Sequence, residues 1–120
     1  MKLDIQSIAE KGNFEKERLV LKVKVDTDIG DYILIQAGFN GKDVTIATHQ
    51  TYWFPYGAVS AGDLIILYTK SGKHSTEALT QGGTAHFYYW GLSKAIWDTS
   101  ERAPVLLHAP EWIKKKPGEL

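Results

Sequence analysis

The chain has 120 residues, no cysteine, and 14 basic residues against 14 acidic ones, so its formal net charge is zero. That length fits one domain, because single domains cluster near ~100–150 residues. With 43% hydrophobic residues it is not a disordered tail. The charge balance argues against a dedicated nucleic-acid binder, and the missing cysteines exclude disulfides, thiolate metal sites and a Cys nucleophile.

In chain order, Leu3 and Ile5 begin an alternating pattern, and no apolar signal segment precedes them. This points to a cytoplasmic location. Glu10 to Lys16 holds Gly12, Asn13 and charges and reads as a turn. Leu19, Leu21, Val23 and Val25 then alternate with Val20, Lys22 and Lys24, the period-two signature of a strand with one wet face. Tyr32 to Ala37 is a second strand, and Ile33-Leu34-Ile35 predicts apolar cover on both of its sides. Asn40-Gly41 is the best hairpin signal, since Asn-Gly favours positive φ at both central positions. Val44, Ile46 and Thr48 alternate after it, and Pro55 ends the aromatic run Thr51 to Tyr56.

Leu64 to Thr69 reads as a buried strand, and its apolar run Leu64 to Tyr68 is far short of the ~20 residues of a membrane span. After the loop Gln81-Gly82-Gly83, His86, Tyr88 and Trp90 face one way and Phe87 and Tyr89 the other. Val105 to His108 is the last strand, stopped by Pro110. Ser75–Leu79 and Ser93–Trp97 each have room for about one helical turn, and no longer helical stripe exists. The prediction is an all-β, antiparallel sandwich of about seven to eight strands over residues 1–112, with at most one or two single-turn helices and a short basic tail over 113–120.

Several motifs dissolve on inspection. Ser71-Gly72-Lys73-His74 lacks the upstream glycine of a phosphate loop (Leu67 stands there) and has His74 where Ser or Thr belongs. Gly57 to Gly62 lacks the glycine two before Ser60 that a nucleophile elbow needs. Asp26, Asp28 and Asp31 share a loop that could offer oxygens to calcium, but Ala37 occupies the position of the closing Glu, and aspartates also cap turn amides. The histidines, His49, His74, His86 and His108, show no metal-pair spacing, so no metal and no cofactor are assigned.

The aromatic groups carry the most information. Tyr52, Trp53, Phe54 and Tyr56 form one, Phe87 to Trp90 another, and Trp97 and Trp112 stand apart. Alternation puts rings on both faces of each strand, and only one face fits a core. The other is covered, for which Trp97, Trp112 and Pro55 are the candidates, or it is a recognition surface.

Three segments together resemble the lamin-tail domain, an immunoglobulin-like β-sandwich. Glu17 to Leu21 looks like that family's early strand. Val59-Ser60-Ala61-Gly62-Asp63 leading into Leu64 to Leu67 is similar to its turn and following strand, with Ala61 in place of the usual proline. Trp97-Asp98-Thr99-Ser100 leading to Val105 to Leu107 looks like its closing strand. The family's mid-domain Gly-Trp strand is replaced by Gly30-Asp31-Tyr32. The resemblance implies binding rather than catalysis and transfers no catalytic residue.

The reading is therefore a non-enzymatic binding module. Its binding residues would be Tyr52, Trp53, Tyr56, His86, Tyr88, Trp90 and His49, its first partner a protein, and a homodimer would cover rings and open strand edges together. Two alternatives stay open. One is a small enzyme with an aromatic-walled pocket and His86, His49 and Asp63 as acid/base groups. The other is a carbohydrate-binding module.

Overall fold

A computed structural model describes residues 1–120. Ten strands run in the order β1 (Leu3–Ala9), β2 (Arg18–Val23), β3 (Thr27–Asp28), β4 (Tyr32–Phe39), β5 (Val44–Trp53), β6 (Ala58–Val59), β7 (Leu64–Tyr68), β8 (Ser75–Ala78), β9 (Thr84–Tyr89) and β10 (Arg102–His108). Single turns of 3-10 helix at Ile29–Asp31 and Pro117–Glu119 are the only helical pieces. The all-β expectation holds, and eight of the strands are longer than a two-residue bridge.

The strands form a five-stranded sheet in the order β1-β2-β7-β9-β8 and a three-stranded sheet in the order β10-β4-β5, with a small β3–β6 bridge. The alternation read in β2 sends Leu19, Leu21 and Val23 inward with no exposed surface. They meet Ile65 and Leu67 of β7, Tyr88 of β9, and Tyr32 and Leu34 of β4 in one cluster, so the two sheets share a sandwich-like core. No helix is long and apolar enough to cross a membrane.

Three local expectations change. The β7–β9 pair is parallel, because residues 69–83 carry the chain past the far side of β9 to form β8 before β9 returns between them. Ser75–Ala78 is strand rather than helix: the pairing of Thr76 with His86 completes the sheet edge and overrides a short helical preference. Ser93 to Trp97 is irregular, its backbone being spent on a buried side chain described next.

Glu17 sits immediately before β2 and has no exposed surface. Its Oε1 accepts from Gly12 N (2.9 Å) and Trp97 N (3.1 Å). Its Oε2 accepts from Thr69 Oγ1 (2.6 Å) and Ile96 N (3.0 Å). The protein's two ion pairs, Lys70–Glu15 and His86–Asp63, do not involve it. Ile96 O in turn accepts from Gln36 Nε2 at 2.6 Å, which extends the network to β4 in the other sheet. Glu17→Gln preserves shape but turns a donor toward backbone N–H groups. Leaving buried donors unpaired costs ~1–3 kcal/mol each, so urea unfolding should show a loss of about 2–4 kcal/mol. A loss under about 0.5 kcal/mol, the size of an ordinary surface change, would refute the role given to this carboxylate.

Candidate functional site

The half-exposed aromatic cluster is built where β5 ends. Trp53 lies opposite Ile33 of β4, which lies opposite Leu107 of β10, so one apolar row crosses the outer face of the three-stranded sheet. Sequence predicted cover on both sides of β4. Leu34 is buried, but Ile33 and Ile35 are only half-buried, because no second sheet packs on their side. After β10, Ala109 N still donates to Asp31 O, and the chain then brings Trp112 onto Trp53 with ring centroids 5.1 Å apart and planes at 89°.

Both indole N–H groups are used internally. Trp53 Nε1 donates to Gly30 O at 2.8 Å, and Trp112 Nε1 donates to Tyr56 Oη at 3.1 Å. Asp28 pins the base of the cluster, since its Oδ1 accepts from Gly30 N and Gly57 N at 2.8 and 2.9 Å. A Cβ on Gly30 would lie 2.3 Å from the Tyr56 ring, so glycine is what lets that ring close on the loop. Trp53, Tyr56 and Trp112 nevertheless remain 45%, 62% and 46% exposed. The cluster thus offers ring faces in a fixed corner.

The other predicted rings turn inward. Tyr88 is 4% exposed and meets Phe54 edge-on at 5.3 Å. Tyr52 and Trp90 pack edge-on at 5.9 Å across the sheets, and Trp90 rests against buried Trp97. Burial, then the neighbouring Tyr52 and Asp28, push the Tyr88 hydroxyl up to about 12, and burial raises Tyr52 as well. His49 lies exposed on β5, away from this cluster in a polar cleft. Of the seven predicted site residues, the structure therefore joins Trp53 and Tyr56, adds Trp112, and lines the core with Tyr52, Tyr88 and Trp90.

His86 and Asp63 do meet, with His86 Nε2 donating to Asp63 Oδ2 at 2.9 Å. The same carboxylate accepts from Ser60 N and Thr84 N, each at 3.0 Å, fastening the start of β7 to the start of β9. Both side chains are nearly out of solvent, and neither lines any of the three surface concavities. The calcium-like loop is similarly occupied: Asp26 Oδ1 accepts from Ala61 N at 2.8 Å, and Asp28 is engaged as described. His74 stacks on Tyr88 and His108 on Tyr32, so the histidines are dispersed, and no three metal-binding side chains converge.

Sequence offered Trp112 as one candidate cover for the outward rings, and the structure sets it against Trp53. Its place in the binding cluster was not read, since it stands far along the chain and the only local sign was Pro110 just after β10. No protein-family model matches the chain, and no curated protein matches it.

Burial alone would raise the Asp63 carboxyl, but hydrogen bonds from Ser60, His86 and Thr84 together with the nearby imidazole outweigh it and hold the group below its ordinary value. A depressed carboxyl stabilises the fold above its unfolded value, and that stability is lost as pH falls through the folded one. The stability gap between the native protein and Asp63→Asn, measured by urea unfolding, should therefore shrink as pH drops below about 4. A gap that stays constant or widens there would contradict this assignment.

Proposed function

We propose that the chain is a non-enzymatic binding module that engages a protein partner through Trp53, Tyr56 and Trp112. The observation that carries this reading is the combination of exposure and fixation: three large rings keep about half their surface open while Gly30 O, Tyr56 Oη and Asp28 hold them in place. Rings ordered before binding lose little entropy on contact, and Trp and Tyr dominate interface hot spots. The apolar row Ile33–Leu107 beside them extends the patch. An immunoglobulin-like, lamin-tail-like domain acting in the cytoplasm is the identity that this reading adopts, because such domains bind rather than catalyse and a cysteine-free core suits a reducing compartment.

The geometry favours protein over carbohydrate. Planes at 89° give a corner rather than a shared flat platform, and both indole N–H groups are already spent on the protein itself. An apolar side chain fits such a corner, whereas a sugar needs polar groups beside the ring. Trp53→Ala and Trp112→Ala should each weaken capture of the partners retained by the native protein by at least ~2 kcal/mol, the size of a hot-spot truncation. Urea unfolding should show both variants folded. Undiminished capture by folded variants would rule out this surface, and loss of folding in both would show the rings to be structural.

A further inference from the structure

A polar cleft of about 350 Å³ lies away from the rings, between the core-facing side of the β4–β5–β10 sheet and residues 94–102. That volume is within the range of small-molecule sites. Its lining side chains have been arranged by two features of the backbone. The first is a bulge. Gln36 of β4 pairs with Gln50, but the next residue, Ala37, pairs with Thr48, so His49 is the extra residue in β5. In a regular strand His49 and Gln50 would point to opposite faces, yet both line this cleft. Bulges re-aim side chains in this way.

The second feature is Gln36, only 4% exposed. Its Nε2 is held by Ile96 O at 2.6 Å, which fixes the orientation of the carboxamide. Its Oε1 takes no hydrogen bond from the protein, and the residue lines the cleft. With Nε2 fixed and no protein donor on it, this oxygen is reached from the cleft and is free to accept from a donor that enters. Around it stand two cations, Lys94 and Arg102, and two carboxylates, Asp98 and Glu101. None of the four belongs to either ion pair in the protein, and one Arg102 amine, Nη1, donates to Glu101 O at 3.1 Å. The site therefore presents unpaired charge of both signs together with a fixed acceptor.

We propose that this cleft binds a small zwitterion of amino-acid size, its carboxylate turned to Lys94 and Arg102 and its ammonium group to Gln36 Oε1 and the Asp98 and Glu101 carboxylates. A simple anion would leave the acceptors unanswered, and a simple cation would leave Lys94 and Arg102 unanswered. The amino-acid zwitterion meets both needs at once.

The test is an NMR titration of the full-length, isotope-labelled protein with L-serine, with acetate and methylammonium as single-charge controls. Saturable shifts of the Gln36 side-chain amide and the Ile96 backbone amide are expected at millimolar L-serine, with far smaller shifts for either control. Lys94→Ala, an exposed change that leaves the Glu17 network and the aromatic cluster untouched, should weaken the response about tenfold, the worth of one hydrogen bond to a charged group. The proposal is overturned by any of three results: no saturable shift with L-serine, equal shifts with acetate or methylammonium, or an unchanged response in Lys94→Ala. None of these bears on the rings around Trp53, so the two sites stand or fall separately.

Discussion

Glu17 is a carboxylate with no exposed surface, and it makes its hydrogen bonds with backbone and hydroxyl donors rather than with a cation. Taking a charge of this kind out of water costs several kcal/mol unless donors replace the lost solvent. Four donors do so, and they come from parts of the chain that share no strand: Gly12 in the first loop, Thr69 after β7, and Ile96 and Trp97 before β10. The constraint runs in both directions. The carboxylate is tolerable only if those segments are in place, and the irregular stretch around Ile96 has few other backbone partners to define it. Through Ile96 O and Gln36 the same network reaches from the large sheet to the small one.

That arrangement decides how the rings are divided. With residues 96–97 held inward, Trp97 is buried and supports Trp90, and the core of Tyr52, Phe54 and Tyr88 closes between the sheets. The cluster left outside is Trp53 on the far side of β5, Tyr56 in the loop after it, and Trp112 on the segment after β10. Asp28 and Gly30 then convert three loose rings into a fixed corner. A chain of zero net charge has no long-range electrostatic attraction to offer a partner. The proposed protein-binding surface accordingly relies on ordered apolar rings rather than on charge.

Much of this was legible in the sequence where it depended on local pattern. Alternation placed β2 and β9, and a continuous apolar run placed β7. The β7–β9 register sets His86 and Tyr88 beside buried Ile65 and Leu67, with Phe87 and Tyr89 on the other face as read. Asn40-Gly41 marked the β4–β5 connection, although only Gly41 takes positive φ, while the Asn40 side chain accepts from Lys42 N and Asp43 N. What depended on distant partners was not legible. The parallel β7–β9 pair and the strand at Ser75–Ala78 follow from where the chain returns, which no local period encodes. Of the aromatic site, Trp53 and Tyr56 were visible as part of a dense run, but their separation from Tyr52 depends on which face of β5 meets the core. The contribution of Trp112 depends on a fold-back across the sheet. Glu17 entered only as the first residue of the strand that resembles the lamin-tail family, and its burial went unread, since burial of a carboxylate has no signature in the sequence around it.

The division of the tryptophans is the claim on which the rest turns, and 5-fluorotryptophan labelling tests it directly. The solvent-isotope shift of each fluorine resonance on exchange from water into heavy water reports how much of that ring the solvent reaches. Resonances assigned to Trp53 and Trp112, at 45% and 46% exposure, should show large shifts, and that of Trp97, at 3%, should show almost none. A Trp97 shift as large as that of Trp53, or a Trp53 resonance as silent as that of Trp97, would contradict the account.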